Sequence, residues 1–356
     1  IDSRMQTYAE EAVHEHMSSL QKQFFKEKKG SSAAPYTSSR VELSDAMRAK
    51  LIANAIRQSE RGRIARLRGL SEAELQAEFD TPVDMTVFSY DGPVDTTMTP
   101  RDSLLYSKSF LRTGFMSMDP STGFVKAYVG GPDFRFFQYD MVSTGRRQIG
   151  STIKPFLYTY AFETDDFTPC TTMLNEQPTL YDENGRVWQP RNTGRSRLGE
   201  MVDLRWALTN SNNWISARII DRLSPAELVK RMHSYGITNR LPAVKSIALG
   251  PCEVSVKEMA TAYSAFANGG MRSDPVYVTA IADANGNIIS DFAPSQTEVI
   301  TRKGYYRILS VLLNVVDGGT GNRLRRPPYS ITAQTGGKTG TTNDNADGWF
   351  MAFTPE

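Results

Sequence analysis

The sequence predicts an α+β domain that follows a helical region, and three observations support this prediction. The chain has 356 residues, 40% of them hydrophobic, which is enough to bury a substantial core. Apolar residues recur at helical spacing through residues 1–84, whereas strand-like segments begin at Met85 and return near the C-terminal end. Strands, then helices, then strands indicate a sheet that joins both ends of residues 85–356 around a helical insertion.

The helical region, residues 1–84, contains several separate helical stretches. The first runs from Asp2 to about Phe25, and another begins at Ser44. Ser71-Glu72-Ala73-Glu74 has the pattern of a capping box, and the helix that it starts is expected to stop before Asp80. We therefore predict that residues 1–84 form a separate N-terminal element.

Residues 85–356 show strand signals at both of their ends. Residues 114–118 and 124–129 flank Asp119-Pro120-Ser121-Thr122-Gly123, whose turn-forming residues predict an antiparallel hairpin. Strand character returns in three C-terminal segments, which are residues 331–334, the segment around Lys338, and residues 347–353.

Between these strands the pattern is mostly helical. Ser224-Pro225-Ala226-Glu227 and Ser255-Val256-Lys257-Glu258 both predict capping boxes, the first with proline at the first helical position. Gly236 and Asn268-Gly269-Gly270 are suitable helix stops. A small hairpin is expected around residues 283–287.

Composition argues against several classes of function. A net charge of +2 gives no overall field that would attract nucleic acid. The local basic clusters at residues 61–68 and 323–326 are expected to be solvated faces and loops. Cys170 and Cys252 are too few for a disulfide framework, and the sequence leaves open whether they pair. The most apolar stretch, residues 308–316, is too short to span a membrane.

The first of three motifs is Ser151-Thr152-Ile153-Lys154. The same spacing occurs at Ser19 and Lys22, inside a predicted surface helix, so the spacing alone is a weak signal. Context separates the two matches, because Pro155 is tolerated only in the first turn of a helix. Ser151 is therefore expected within one residue of a helix start, where free N–H groups favour negative charge. Lys154 would share its helix face and reach its hydroxyl.

The second and third motifs are Ser211-Asn212-Asn213 and Lys338-Thr339-Gly340-Thr341. The Ser211 segment is a polar break between helical patterns, and on its own it would be typical of a capped loop. Lys338-Thr339-Gly340 is the only Lys-Thr-Gly in the chain. On an edge strand, Gly340 would let a substrate backbone approach closely. Together the motifs supply the groups needed to attack an amide through a serine without a histidine.

Other kinds of site lack residues that they require. A phosphate-binding loop would need glycine where Thr332 stands, followed by a helix that the sequence does not predict. An α/β-hydrolase would need a G-x-S-x-G motif, which is missing. His14 and His16 fall in the N-terminal helix, and His233 is expected to be a structural or surface residue. The sequence therefore predicts neither a histidine base nor a zinc site, and no cofactor.

On these residues the sequence resembles the penicillin-binding proteins, for which the three motifs are signatures. Further segments look like the transpeptidase domain of the bifunctional, class A type: residues 147–156, 189–192, 207–213, 260–270 and 337–342. The resemblance covers roughly residues 85–356, while residues 1–84 look like the segment that joins this domain to a glycosyltransferase domain. In the family another strand and a terminal helix follow, and we expect both to be absent from this chain.

The resemblance implies the penicillin-binding and serine β-lactamase-like fold, an antiparallel sheet with a helical subdomain. It also implies roles for the site residues. Ser151 would be the nucleophile, Lys154 its base, Ser211 a proton relay and Lys338 a source of positive field. The residues expected to bind substrate are Asn213, Thr339, Gly340 and Thr341. The backbone N–H groups of Ser151 and Thr341 would form the oxyanion hole.

A lysine base must be neutral, so its pKa has to fall from ~10.4 to about 7. Burial and the nearby charge of Lys338 are the two sources that we expect to lower the pKa of Lys154.

The activity that the resemblance implies is peptidoglycan cross-linking by a D,D-transpeptidase. The penultimate D-Ala carbonyl of a stem peptide would acylate Ser151, D-Ala would leave, and an amine of a neighbouring stem would attack. β-Lactams would acylate Ser151 and so inhibit the enzyme. Two alternatives stay open. One is a serine β-lactamase, although no Glu-x-x-Leu-Asn element lies between Asn213 and Lys338. The other is a non-catalytic penicillin-binding sensor or scaffold.

The implied partners are stem peptides ending in D-Ala-D-Ala, an amine acceptor and β-lactams, with no nucleic acid. The parent protein is expected to carry a glycosyltransferase domain and an N-terminal anchor helix outside this chain. It would work at the periplasmic, extracytoplasmic face of the bacterial inner membrane. The sequence leaves open the acceptor amine, the partner proteins and the oligomeric state.

Overall fold

The computed structural model describes residues 1–30, 35–36, 43–194 and 196–355. The chain forms two compact units. The N-terminal unit consists of Thr7–Gly114 and Val129–Tyr139, and the C-terminal unit of Ile1–Gln6, Phe115–Tyr128 and Asp140–Glu356. All residues of the three motifs lie in the C-terminal unit. The predicted division between residues 84 and 85 stays a prediction.

The N-terminal unit is helical with one antiparallel strand pair. Its elements are α1 (Ser3–Lys28) from Thr7 onward, α2 (Asp45–Gln58), α3 (Glu60–Leu67), α4 (Glu72–Asp80), β1 (Val83–Val87), β2 (Val94–Met98) and α5 (Pro100–Lys108). The predicted capping box forms at Ser71 and Glu74. Helix α4 includes Asp80, one residue beyond the predicted stop, and the Thr81 hydroxyl then closes its end on the carbonyl of Ala77. The helices expected after Asp2 and Ser44 are confirmed.

Small apolar clusters hold this unit together. Ile56, Ala65, Leu75 and Phe79 form one cluster, and a second is built around Phe88 and its aromatic neighbours. The basic cluster at residues 61–68 is a solvated face, as predicted, with Arg63 and Arg68 paired to nearby glutamates. Ser19 and Lys22 are exposed on α1, so this second Ser-x-x-Lys match has no buried environment.

The C-terminal unit mixes helices with short strand pairs. Its helices are α6 (Lys154–Glu163), α7 (Leu204–Thr209), α8 (Asn213–Arg222), α9 (Pro225–Ser234), α10 (Val256–Ala267) and α11 (Arg302–Asp317). Its strands are β3 (Phe115–Met118), β4 (Val125–Val129), β5 (Arg147–Gln148), β6 (Thr172–Leu174), β7 (Leu180–Tyr181), β8 (Val187–Trp188), β9 (Met201–Asp203), β10 (Glu253–Val254), β11 (Met271–Ser273), β12 (Ala280–Ala282), β13 (Ile288–Asp291), β14 (Gln296–Glu298), β15 (Gly336–Thr341) and β16 (Gly348–Phe353). The α+β class is confirmed.

Most of the strand predictions are confirmed, and two expectations need correction. β3 pairs with β4 and β12 with β13 across the predicted turns. Residues 331–334 are not a strand, because the Arg325 guanidinium binds the carbonyls of Ile331 and Ala333 that a ladder would use. A single sheet joining both ends is also not formed in the described residues. Hairpins β3–β4 and β15–β16 are separate, and strands of both pack against α10.

Of the two capping boxes predicted in this unit, one forms completely and the other forms only in part. Ser255 and Glu258 form a complete capping box at α10. At α9 the Ser224 hydroxyl accepts from the N–H of Glu227, but the Glu227 carboxylate faces Lys230 and Arg231, so only half of that box forms. The predicted stops are confirmed: α9 ends before Gly236, and α10 before Asn268, which precedes Gly269 and Gly270.

Helix α6 is the centre of the core. Eight of its ten residues are buried, and it packs against α7, α8, α9 and α11. A helix that is apolar on all sides gains its stability from such burial. Helix α11 lies against both α6 and β15, so it links the helical core to the strand that carries Lys338. Among the described helices, none is long and apolar enough to cross a bilayer.

Candidate active site

The turn that carries Ser151 leads directly into the buried helix α6. Residues Gly150–Ile153 form a 3-10 turn, Lys154 begins α6, and Pro155 occupies the first helical turn. The predicted position of Ser151 at a helix start is therefore confirmed. Gly150 has a φ of +51°, a left-handed conformation that glycine adopts at little cost.

Strand β15 lies against this turn at van der Waals distance. A Cβ atom on Gly340 would sit 2.7 Å from the carbonyl oxygen of Ile149 and 2.8 Å from a methyl of Thr152. A Cβ atom on Gly150 would sit 2.8 Å from the carbonyl oxygen of Thr341. These glycines bring the backbones of Ser151 and Thr341 together. The close approach that Gly340 permits is thus to the Ser151 turn, and an approach by substrate there stays a prediction.

Ser211 lies between α7 and α8 in a strained conformation. Its φ is +56°, which is uncommon for a residue with a side chain. Hydrogen bonds from its N–H to Leu208 and from the Asn212 N–H to Ala207 fix the chain there. Asn212 also caps α8 by accepting from the N–H of Ile215. Strain held in place by surrounding contacts is common at functional sites.

Two lysines converge on the hydroxyl of Ser211. Lys154 Nζ lies 3.3 Å from Ser211 Oγ, 2.5 Å from the Ser211 carbonyl oxygen and 2.7 Å from Asn213 Oδ1. Lys338 Nζ donates to Ser211 Oγ at 2.9 Å and to its neighbour Thr339 O at 2.9 Å. The structure therefore brings one residue of each motif to a single oxygen atom.

Lys154 and the Ser151 hydroxyl are not hydrogen-bonded to each other in the described part of the chain, and the expectation that Lys154 can reach Ser151 stays a prediction. The Lys154 amine makes its hydrogen bonds to Ser211 and Asn213, and the Ser151 hydroxyl has no hydrogen bond within the described part of the chain. A buried amine needs polar partners, and Ser211 and Asn213 supply them. Spacing placed the two side chains near one helix face but did not specify where the flexible lysine chain points.

Both lysines are completely buried, and among the described residues neither forms a salt bridge. Burial lowers the pKa of Lys154 well below its ordinary value, and the positive charge of Lys338 lowers that pKa further. Burial also lowers the pKa of Lys338 to about 7. These are the two causes expected from the sequence for Lys154. The site therefore favours a neutral Lys154 beside a Lys338 that titrates near neutral pH.

Asn213 is held by a loop that the sequence did not mark as structural support. Its Nδ2 donates to the carbonyl of Arg191, and its backbone N–H donates to Asn192 Oδ1. The indole N–H of Trp214 donates to the carbonyl of Pro190 in the same loop. The segment 189–192 thus fixes the side chain of Asn213.

The two threonines of the third motif have different surroundings. Thr341 is exposed at the end of β15, opposite Gly348 of β16. Thr339 is half-buried, and its hydroxyl lies 2.6 Å from the hydroxyl of Thr320. Sequence reasoning missed Thr320. The sequence feature that could have indicated this residue is the run Gly318-Gly319-Thr320-Gly321, a turn directly after an amphipathic helix.

The remaining candidates lie outside this constellation. Cys170 is exposed and Cys252 is buried, and both are free thiols. Burial raises the pKa of Cys252 to about 12. His233 Nδ1 lies 2.7 Å from the carbonyl of Ile237, a structural role as predicted. The residues described hold no group of three histidine, cysteine or acidic side chains that could bind a metal ion.

Comparison with known families gives two matches along the chain. A model described as "Penicillin binding protein transpeptidase domain" matches residues 113–356. A second, described as "Penicillin-binding protein middle domain", matches residues 32–111. The first covers more than half of the chain and includes all three motifs.

Curated relatives agree with these matches. The chain is 34% identical over 255 residues to Penicillin-binding protein 1A of Neisseria lactamica, covering 69% of this chain and 31% of that protein. It is 33% identical over 253 residues to Penicillin-binding protein 2D of Bacillus subtilis, covering 70% and 36% respectively. The matched region thus spans about a third of the length of these relatives.

Solved structures show the same fold. A crystal structure of Penicillin-Binding Protein 1A from Haemophilus influenzae superposes with a TM-score of 0.69 at 20% identity, covering 99% of this chain and 59% of that one. The D,D-transpeptidase domain of a peptidoglycan glycosyltransferase from Eggerthella lenta gives a TM-score of 0.59 at 22% identity, covering 68% and 70%. At these identities the likeness establishes the fold.

Proposed function

The chain belongs to the penicillin-binding proteins and carries their transpeptidase domain, and we propose that it cross-links peptidoglycan stem peptides through an acyl-enzyme on Ser151. The observation that carries this proposal is the meeting of Lys154 and Lys338 at Ser211 Oγ, with both amines buried. A buried amine of lowered pKa is available as a base at neutral pH. This supplies what a serine nucleophile needs without a histidine.

In the first step Ser151 Oγ attacks the penultimate D-Ala carbonyl of the donor peptide, and Lys154 takes the hydroxyl proton. A neutral amine has two N–H groups and one lone pair. Lys154 can keep its short bonds to Ser211 O and Asn213 Oδ1 and release the 3.3 Å contact with Ser211 Oγ. Its lone pair is then free to accept the proton of Ser151.

The tetrahedral intermediate then collapses to an ester on Ser151. The carbon–nitrogen bond breaks, and the leaving D-Ala amine takes up a proton that Ser211 relays from Lys154. In the second step an acceptor amine attacks the ester and loses its proton by the same route, and Ser151 Oγ regains one. The position of Ser211 Oγ, within hydrogen-bond range of both lysines, supports the relay.

Residues of β15 and of the Ser151 turn are proposed to bind the substrate and to stabilise the oxyanion. The backbone N–H groups of Ser151 and Thr341 are proposed as the oxyanion hole, a contribution of roughly 3 kcal/mol for each donor. The approach of β15 to that turn supports this pairing. Thr339 and Thr341 would bind the terminal carboxylate, Asn213 the substrate amide, and Lys338 would add positive charge. β-Lactams would acylate Ser151 as substrate mimics.

The proposed partners follow from this chemistry. The donor is a stem peptide that ends in D-Ala-D-Ala, and the acceptor is an amine on a neighbouring stem. The proposed place of work is the periplasmic face of the bacterial inner membrane, where a parent protein with a glycosyltransferase domain and an anchor helix would hold this domain.

Multiple turnover tests the proposal. The chain is incubated with a peptide ending in D-Ala-D-Ala and an excess of an amine acceptor, and released D-Ala and cross-linked product are counted for each Ser151 present. We expect several turnovers, with product that depends on the amine. Acylation by penicillin without turnover on the peptide would identify a sensor or scaffold. Rapid hydrolysis of penicillin would identify a β-lactamase.

A further inference from the structure

The hydroxyl of Thr320 is paired with a hydroxyl of the third motif. Thr320 Oγ1 and Thr339 Oγ1 lie 2.6 Å apart, and either atom can be the donor. Thr320 lies just beyond the C-terminal end of α11, whereas Thr339 lies on β15. The contact is therefore tertiary and local sequence pattern does not produce it.

The turn that carries Thr320 is anchored on both sides. The Thr320 N–H donates to the carbonyl of Thr209, two residues before Ser211, and the Gly321 N–H donates to the carbonyl of Val315. A Cβ atom on Gly319 would lie 2.3 Å from the carbonyl oxygen of Thr209, so only glycine fits there. These contacts hold Thr320 next to the segments of both the second and third motifs.

The direction of the hydrogen bond between Thr320 and Thr339 decides whether Thr339 can donate to a ligand. A hydroxyl carries one donor hydrogen and can accept two hydrogen bonds. If Thr339 donates to Thr320, its only hydrogen is used within the protein. If Thr320 donates to Thr339, the hydrogen of Thr339 is free to point at a ligand. A bound carboxylate is an acceptor only, so Thr339 can donate to it only in the second arrangement.

We propose that Thr320 is a positioning residue, whose hydroxyl donates to Thr339 Oγ1 and so directs the Thr339 hydrogen toward the carboxylate of a donor peptide or β-lactam. This rests on the proposed function, in which Thr339 binds that carboxylate. Thr320 lowers the cost of ordering the Thr339 hydroxyl before the ligand arrives. Its effect should therefore appear only with ligands that carry the carboxylate.

The test compares benzylpenicillin with its methyl ester, which has the same scaffold without the negative charge. Stopped-flow acylation is measured for the wild-type chain and for Thr320→Val, Thr320→Ala and Thr320→Ser. We expect Thr320→Val and Thr320→Ala to slow acylation by benzylpenicillin about 5- to 10-fold, the effect of one lost hydrogen bond, and to leave the ester nearly unchanged. Thr320→Ser keeps the hydroxyl and should be acylated by benzylpenicillin at the wild-type rate.

A double variant identifies the route of the effect. Thr320→Val combined with Thr339→Val should lose no more than Thr339→Val alone, because Thr320 acts through Thr339. Thr172→Val, an exposed threonine on β6, serves as the matched control and should behave as wild type. A wild-type chain that neither substrate acylates would overturn the proposed function itself. If the wild type is acylated, equal losses on both substrates, no loss, or additive losses would overturn the role of Thr320.

Discussion

Lys154 Nζ and Lys338 Nζ both lie within hydrogen-bond distance of the same atom, the hydroxyl oxygen of Ser211. Both amines are fully buried, so two positive charges at this point would repel each other strongly. Loss of one proton relieves the repulsion. We assign that loss to Lys154, because its pKa is lowered both by burial and by the charge of Lys338, whereas burial alone lowers the pKa of Lys338. A base and a positive charge thus arise from two identical side chains through their surroundings.

Replacing Lys154 by arginine tests whether this residue is a base. Arginine keeps the positive charge but does not deprotonate in the working range of pH. We expect Lys154→Arg to slow acylation by penicillin about 10²- to 10⁴-fold, as loss of a general base does. Lys154→Ala should lose a similar factor. Acylation is followed with a labelled penicillin at several times.

Lys22→Arg is the matched control, because Lys22 follows Ser19 at the same spacing on the exposed face of α1. It should keep the wild-type rate. A Lys154→Arg variant that acylates nearly as fast as the wild type would mean that only charge is needed at this position.

The pH dependence of acylation should have two limbs. The rate should rise with pH as Lys154 loses its proton. It should fall above about pH 7, because the pKa of Lys338 is lowered to about 7 and its positive charge is then lost. Lys338→Met should remove the falling limb. It should also move the rising limb to higher pH, since Lys338 no longer lowers the pKa of Lys154.

The measurement is the second-order rate constant for acylation by benzylpenicillin across the pH range. If Lys338→Met left the position of the rising limb unchanged, the two lysines would not be electrostatically coupled.

The contact between β15 and the Ser151 turn predicts different outcomes for two glycines on neighbouring strands. Gly340→Ala would place a methyl group 2.7 Å from the carbonyl oxygen of Ile149. We expect it to lower the free energy of unfolding by about 1–3 kcal/mol, as overpacking does, and to slow acylation by shifting Thr341. Gly348→Ala has no atom within 4 Å of its new methyl and should change stability by less than about 0.5 kcal/mol.

Thermal denaturation and penicillin labelling of both variants decide the question. A Gly340→Ala variant as stable and as reactive as Gly348→Ala would show that β15 does not depend on this close approach.

Local rules predicted much of the fold around the site. Pro155 placed Ser151 at a helix start because proline has few other acceptable positions in a helix. Turn residues predicted the hairpins, and Ser-x-x-Glu predicted the complete capping boxes at Ser71 and Ser255. In each case the interacting groups lie within a few residues of one another.

Predictions failed where a side chain or turn is set by contacts that no local sequence pattern specifies. Lys154 forms its hydrogen bonds with Ser211 and Asn213, which lie 57 and 59 residues further along the chain. The sequence of residues 331–334 predicts a strand, but in the structure the Arg325 guanidinium donates to the carbonyls of Ile331 and Ala333. Ser211 has a positive φ that no turn pattern indicated, and Thr320 meets Thr339 only in the folded chain.

The mass of the intact chain after incubation with benzylpenicillin tests most directly whether Ser151 is the nucleophile. We predict a single covalent adduct that maps to the peptide containing Ser151. The adduct should be absent from Ser151→Ala and fully present in Ser19→Ala, whose serine belongs to the exposed Ser-x-x-Lys of α1. An adduct that persists in Ser151→Ala would contradict the assignment of Ser151, and with it the mechanism built around Lys154 and Ser211.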